Sequence, residues 1–144
     1  MRARQFSGRV VTVTNDKVFN EAVYNLTHEF PFLWEEIHVP IPYKADHGRA
    51  EHILLDAAIE ATRDTCDAAR PAIRAFNEKY RAVMEQPDPR VYWRLTDNWL
   101  ELTVRFVVPE RGVRDIKDRM SRHIVREFAD AGIEIASTTV EVTG

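Results

Sequence analysis

The chain has 144 residues, of which 44% are hydrophobic and 30% are charged, and its formal net charge is -3. These values are typical of a globular protein and argue against an intrinsically disordered chain. The small acidic excess also argues against binding to nucleic acid phosphates, since domains that do so carry a clear surplus of lysine and arginine. The single cysteine, Cys66, excludes an intrachain disulfide and favours a reducing compartment.

No membrane-spanning or secretory segment is visible in the sequence. A transmembrane helix needs a run of about 18 or more apolar residues, and none is present. The first residues also lack the apolar core of a signal peptide. We therefore expect that this chain does not itself span a bilayer.

Residues 8–26 predict two short strands joined by a turn. Val11 and Val13 alternate with threonines, and Thr14-Asn15-Asp16 is typical of a turn. A pair of strands is not stable by itself. We therefore predict that residues 1–29 are the end of a β domain whose beginning is missing, so that the chain is a fragment of a longer subunit.

An aromatic segment, Phe30-Pro31-Phe32-Leu33-Trp34, follows this region. The simplest interpretation is a packed joint between two lobes. A contact patch for another subunit is a compatible alternative, because clustered exposed apolar residues often mark interfaces. The candidate subunit contacts are Val11, Val13, Phe30, Phe32 and Trp34.

The segment from Glu35 to Tyr43 alternates apolar and polar residues, which predicts a strand with an apolar face and a polar face. Pro40 and Pro42 lack amide hydrogens, so we expect part of this strand at the edge of a sheet. Residues 91–96 and 99–108 alternate in the same way and predict two further strands. Asp97-Asn98 between them is typical of a tight hairpin.

Two helices are predicted from apolar residues at helical spacing. The first covers residues 46–69, where Ile53, Leu54 and Ala57 are among the residues on one face. Pro71 predicts a kink or a break, after which the pattern continues to Met84. The second helix covers residues 112–131 and ends at Gly132, a residue typical of helix C-termini.

A last strand is predicted to begin at Ile133 and Ile135, with Val140 and Val142 further along. The order of elements from residue 30 to residue 144 is then β-α-β-β-α-β, which is the ferredoxin-like arrangement. We therefore predict an α+β chain. Residues 1–29 are the incomplete β domain, and residues 30–144 form a ferredoxin-like domain with an extended or kinked first helix.

Sequence motifs for catalysis or metal binding are missing. The histidines lack the spacing of a zinc site, and Cys66 lies between Asp64 and Asp67, which should raise rather than lower the pKa of its thiol. Neither a glycine-rich phosphate loop nor a Gly-x-Ser-x-Gly motif is present. We predict no catalytic residue, no metal and no cofactor. The histidines are His28, His38, His47, His52 and His123.

Binding of single-stranded RNA is an alternative, since some ferredoxin-like domains stack bases on aromatic residues of their central strands. Tyr92, Trp93 and Phe106 are the candidate platform residues. The acidic net charge and the lack of flanking basic residues argue against this alternative. We expect no nucleic acid partner.

Residues Gly8 to Phe19 and Val23 to Thr27 resemble the end of the middle β domain of the small-conductance mechanosensitive channel family. In that family a glycine, a strand and a Pro-Asn turn are followed by an apolar residue and a later asparagine. Thr14 stands where the family usually has proline. The matching positions here are Gly8, Asn15, Phe19 and Asn25.

The resemblance extends over nearly the whole chain, because a ferredoxin-like domain follows the β domain in that family. It implies that the parent protein is a homoheptamer. The soluble domains of that heptamer form a hollow vestibule on the cytoplasmic side of the inner membrane. It also implies a role in subunit assembly and solute filtering, without a small-molecule substrate. Plausible charges of the vestibule wall are Glu35, Glu36, Asp46, Glu51, Arg94 and Arg105.

Two other functions remain open at this point. The first is a free-standing ferredoxin-like regulatory domain that binds a small ligand between subunits; the incomplete β segment argues against it. The second is an enzyme that uses surface carboxylates and His38. Such an enzyme would need a pocket in which strongly perturbed groups converge.

Overall fold

The computed structural model describes residues 32–137. This region is α+β, with a three-stranded antiparallel sheet in the order β1-β3-β2 and two helices. The elements are β1 (Phe32–Ile41), α1 (His47–Tyr80), β2 (Arg90–Leu95), β3 (Leu100–Pro109) and α2 (Val113–Ala131). Several predictions lie outside the described residues: those for Gly8, Val11, Val13, Asn15, Phe19, Asn25 and Phe30, and the β domain at residues 1–29.

The hydrophobic core lies between one face of the sheet and the two helices. β1 and β3 turn alternate residues toward the helices, as their sequence alternation predicts. Ile41, Leu102 and Phe106 are fully buried there. Burial of each such side chain stabilises the fold by about 1.5–3 kcal/mol. The predicted apolar face of the first strand is therefore confirmed.

β1 is an edge strand of the described sheet, as its two prolines predict. It pairs with β3 on one side. On the other side the carbonyl of Pro40 accepts a hydrogen bond from the amide of Ala136, at 2.8 Å. The Pro40 nitrogen, which has no hydrogen to donate, also points away from β3. The proline therefore removes no hydrogen bond between β1 and β3.

The hairpin between β2 and β3 has the predicted two-residue loop. The Thr96 amide donates to the carbonyl of Trp99 at 3.1 Å, and Asp97 and Asn98 lie between them. The Thr96 hydroxyl donates to the same carbonyl at 2.6 Å and accepts from the Trp99 amide at 3.1 Å. These bonds close the turn and fix the register of the two strands.

Helix α1 consists of two helical stretches joined at a kink, and the predicted position of that kink, Pro71, is wrong. The interior residue with non-helical backbone angles is Thr62, with φ -118° and ψ 15°. Its hydroxyl donates to the carbonyl of Ala58 at 2.7 Å, a contact that bends helices. Pro71 lies on the exposed side, where water can satisfy the Asp67 carbonyl that loses its amide donor.

The predicted continuation of this helix to Met84 is also wrong. The helix ends at Tyr80, because Arg81 adopts a left-handed conformation with φ 51°. The Asn77 side chain then holds the following turn. It accepts from the Met84 amide at 2.8 Å and donates to the Met84 carbonyl at 3.2 Å.

Helix α2 has the predicted C-terminus at Gly132, whose φ of 73° suits a residue without a side chain. Residues 133–137 are not part of a strand, so within the described residues the predicted last strand is not found. Ile133 is buried in the core, and Ala136 bonds to β1 as described above. Neither helix of the described region is long and apolar enough to cross a membrane.

Candidate functional site: the helix-free face of the sheet

One face of the sheet is covered by a helix only at its end, where Trp34 and Val107 pack against Cys66 of α1, and it carries polar side chains from all three strands. Along β1 and β3 these residues alternate with the core residues, and their register brings them into rows across the sheet. We call this surface the helix-free face. Its polar members are Glu36, His38, Arg90, Tyr92, Arg94, Glu101, Thr103 and Arg105.

The central row joins His38, Thr103 and Tyr92, one residue from each strand. The His38 Nδ1 atom lies 2.8 Å from the Thr103 hydroxyl oxygen, which fixes the orientation of the ring. The His38 Nε2 atom lies 3.6 Å from a carboxylate oxygen of Glu36. Both ring nitrogens are therefore directed at polar partners on the same face.

The row nearest the hairpin pairs Arg94 with Glu101. The Arg94 Nε atom donates to the Glu101 carboxylate at 2.8 Å, and a second guanidinium nitrogen lies at the same distance from that oxygen. The Arg94 side chain is 69% exposed, whereas that of Glu101 is 19% exposed. The positive group therefore projects toward solvent and the negative group lies beneath it.

The opposite end of the face is built on Trp34. The guanidinium carbon of Arg105 lies 4.2 Å from the centroid of the Trp34 ring, within the range of a cation–π contact. Arg105 also donates to Glu85 at 3.3 Å. Arg105 therefore covers an aromatic ring as well as carrying a charge.

A shallow hollow of about 770 Å³ lies over these rows. The charges that line it are of both signs and are paired with one another, so the wall is neither strongly anionic nor strongly cationic. Among residues 32–137 there is no group of three or more side chains suited to hold a metal ion. The hollow is lined by Glu36, His38, Tyr92, Trp93, Arg94, Glu101 and Thr103.

Of the predicted wall charges, Glu36, Arg94 and Arg105 lie on the helix-free face, and Glu35 does not. The prediction for Glu35 is wrong, because its place in the strand alternation turns it toward the helices, where it is 2% exposed. Lys117 of α2 supplies a positive partner, with its Nζ atom 3.3 Å from a Glu35 carboxylate oxygen.

The other two predicted wall charges have local roles. Asp46 is the N-cap of α1 and accepts from the Arg49 amide at 3.1 Å. Glu51 accepts from the indole nitrogen of Trp93 at 2.9 Å, which ties the start of α1 to β2. Both carboxylates lie on the helix side of the molecule, away from the rows described above.

Two candidate subunit contacts, Phe32 and Trp34, are described, and both lie in β1 rather than in a separate joint. Trp34 is 5% exposed and packs with Val107 and Cys66. Phe32 is partly buried against that cluster and against Ile73 of α1. Both residues therefore pack within the described domain, and the interpretation of the aromatic segment as a joint between two lobes stays a prediction.

The aromatic platform for single-stranded RNA is not formed. Tyr92 lies on the helix-free face, whereas Trp93, the next residue along β2, points to the opposite side. Phe106 is fully buried under the helices. Three rings that lie on two faces cannot stack successive bases.

A second polar cluster joins α1 to the segment before β2. Arg70 and Asp88 form a two-pronged ion pair with nitrogen–oxygen distances of 2.9 and 3.2 Å. This pair holds the pKa of Asp88 below its ordinary value and raises that of Arg70. The cluster fastens the residues before β2 to α1.

Cys66 lies beside this pair, and its thiol is directed at the carbonyl of Pro87 at 3.3 Å. Burial raises the pKa of the Cys66 thiol. The contact between the Thr62 hydroxyl and the thiol opposes that shift, and the negative charge of Asp88 adds to it. The sequence predicted the direction from the neighbouring aspartates, but burial is the leading cause. Such a thiol is a poor nucleophile.

Thr103 and Glu101 are members of the helix-free face that sequence reasoning did not single out. The alternation of β3 contained the signal, because its polar positions are those at odd numbers between buried residues. Which polar residue faces which partner depends on the register, and no local pattern gives the register between β1 and β3.

Comparisons with known proteins identify no relative, since no protein-family model matches the chain and no curated protein matches it significantly.

Proposed function

We propose that this chain is the cytoplasmic, vestibule-forming part of a small-conductance mechanosensitive channel subunit. In this role it assembles subunits and filters solutes on the way to the pore. The parent is a homoheptamer embedded in the inner membrane through helices outside this chain. The observation that carries the proposal is the helix-free face, a solvated wall of paired charges in a domain with the element order that the family resemblance implies.

The finer fold belongs to the same proposal. Residues 30–144 form a ferredoxin-like domain whose last element lies beside β1. The bond from the Ala136 amide to the Pro40 carbonyl supports this order, because a ferredoxin-like sheet needs its last strand at that edge. In the same proposal, residues 1–29 are the end of the preceding β domain.

The pairing of charges fits a filter rather than a catalytic site. Arg94 projects into solvent above Glu101, and Glu36 lies beside His38, so a passing ion meets weak fields of both signs. Exposed pairs of this kind interact with ions mainly within about 8 Å at physiological salt. A wall of this type impedes or favours a solute without trapping it.

A chimaeric channel tests the proposal. The membrane helices and the first half of the β domain of a small-conductance channel are joined to this chain at Gly8. The chimaera is expressed in a bacterium that lacks its own mechanosensitive channels. We expect it to restore survival after a sudden drop in osmolarity. A chimaera that reaches the membrane in normal amounts but gives no survival above the empty vector would refute the proposal.

A matched control uses Gly132→Val in the same chimaera. Gly132 has a φ of 73°, which a β-branched residue adopts only with strain, so this change disturbs the soluble domain and leaves the membrane helices untouched. We expect the variant to lose survival. This loss would show that the rescue depends on the fold of this chain.

A further inference from the structure

The two outer edges of the described sheet differ in how they are protected. Exposed strand edges tend to pair with other strands, and proteins protect them with prolines, charges or covering segments. The edge of β1 carries Pro40 and is met by Ala136. The edge of β2 pairs with β3 on one side, and no described strand lies on its other side.

The backbone groups that β2 presents at this edge can be identified from two hydrogen bonds. In an antiparallel pair, opposite residues alternate between hydrogen-bonded and non-bonded positions. The bond from Thr96 to Trp99 makes that pair a bonded one, so Val91, Trp93 and Leu95 direct their amides and carbonyls away from β3. The same alternation along β3 makes Pro40 and Glu101 a non-bonded pair. The Pro40 carbonyl therefore points away from β3, and the Ala136 amide donates to it there.

The side chains that β2 turns toward the helices lack charges, whereas Arg90 and Arg94 lie on the helix-free face of the same strand. Val91, Trp93 and Leu95 are uncharged, and Trp93 and Leu95 are 49% and 75% exposed. Trp93 is held in place by its bond to Glu51 and by an edge-on contact with the His47 ring at 5.7 Å. The edge therefore combines outward-facing donors and acceptors with a row of apolar side chains on the helix side.

We propose that the β2 edge binds the β2 edge of a second copy of this chain in antiparallel register, with Trp93 at the two-fold axis. In this register Trp93 faces its own copy and Val91 faces Leu95 of the other chain. Tyr92 faces Arg94, so that a guanidinium meets an aromatic ring. The two sheets then form one six-stranded sheet with its helices on a single face.

Charge selects this register over its neighbours. In the alternative registers that leave the helices of both copies on the same face, the two-fold axis passes through a neighbouring residue of β2. A pair centred on Tyr92 opposes Arg90 with Arg94 and places Pro89, which has no amide hydrogen, in the ladder. A pair centred on Arg94 opposes that arginine with its own copy. Both place arginines directly opposite each other, whereas the register centred on Trp93 leaves arginines only as diagonal neighbours, about 7–8 Å apart.

This contact goes beyond the proposed function. Neighbours in a ring are related by rotation about the ring axis, whereas the β2 contact is two-fold, so it joins chains of different rings or chains outside a ring. The chimaera above can therefore succeed or fail independently of this contact.

Disulfide trapping with the full chain tests the register. Val91→Cys and Leu95→Cys are made in separate batches, mixed and oxidised. Opposite residues of a bonded pair have Cα atoms about 5.5 Å apart, within the range of a disulfide. Two copies of the same variant place their cysteines about 14 Å apart, which is too far. We expect a crosslinked dimer in the mixture and none in either batch alone.

The unmodified chain, whose Cys66 is buried, is the control for oxidation. Equal crosslinking in the mixture and in the single batches, or no crosslinking in the mixture, overturns the proposal.

Solution mass by light scattering provides a second measurement. Leu95→Lys places a charge on the edge, and Val83→Lys places one on another exposed aliphatic residue, 94% exposed and away from the sheet. We expect Leu95→Lys to weaken the dimer by about tenfold or more, as for the loss of one or two interchain contacts. Val83→Lys should leave the dimer unchanged. A dimer that both variants leave unchanged, or an unmodified chain that stays monomeric, contradicts the proposal.

Discussion

Replacement of Arg105 by alanine tests how the helix-free face is built. Arg105 contacts both an aromatic ring and a carboxylate, whereas Arg94, on the same face, contacts only a carboxylate. Its guanidinium carbon lies 4.2 Å from the Trp34 ring centroid, and it donates to Glu85 at 3.3 Å. Its side chain is 24% exposed, which is consistent with a group that covers the indole ring.

The expected loss of stability follows from these contacts. A cation–π contact at a partly buried site contributes about 0.5–2 kcal/mol. An exposed ion pair contributes about 0–1 kcal/mol. Arg105→Ala should therefore lower the free energy of unfolding by about 0.5–3 kcal/mol. Arg94→Ala loses only an exposed ion pair, so its cost should stay below about 1 kcal/mol.

Urea unfolding at neutral pH measures both variants against the unmodified chain, with tryptophan fluorescence as the signal. Arg105→Lys is the matched control, because it keeps the charge and removes the planar group that lies over Trp34. We expect Arg105→Lys to recover less than half of the loss. Equal costs for Arg105→Ala and Arg94→Ala would refute the reasoning, since the contact with Trp34 would then contribute nothing.

Three further predictions concern the α1 cluster and the core. Because burial raises the pKa of the Cys66 thiol, a soluble disulfide reagent should modify the native chain far more slowly than the chain in urea; equal rates would contradict the buried placement. Arg70 lowers the pKa of Asp88, so this pair stabilises the fold at neutral pH and loses its effect as the pH falls through that lowered pKa. The free energies of unfolding of the unmodified chain and Asp88→Asn should differ by less than about 1 kcal/mol at neutral pH and should become equal in acid. Unfolding curves at several pH values can check this. Phe106→Ala should cost about 3–5 kcal/mol in the same unfolding assay, because it opens a cavity at a fully buried site; a cost under about 1 kcal/mol would contradict the described core.

Alternation and helical spacing were sufficient to predict all five described elements. The strand containing Ile37 to Ile41 has the predicted faces, and the turn at Asp97-Asn98 has the predicted length. These features depend on residues close together in the chain, so a local pattern contains them. Gly132 ends its helix for the same reason.

Features that depend on distant residues were predicted less well. The bend in α1 lies at Thr62 rather than Pro71, because a hydroxyl that bonds to the preceding turn acts on the buried side of the helix. Glu35 is buried because Lys117, more than eighty residues later, supplies its partner. The rows of the helix-free face require the register between β1 and β3, which the spacing of residues within each strand cannot give.

Reversal potentials of the chimaeric channel in a salt gradient test the central claim most directly, namely that the helix-free face lines the path of permeating ions. Arg94→Glu reverses an exposed charge on that face, and Val83→Glu adds the same charge outside the sheet. We predict that Arg94→Glu shifts the permeability of tension-activated currents toward cations, and that Val83→Glu leaves it unchanged. Unchanged reversal potentials in Arg94→Glu, or equal shifts in both variants, would contradict the account.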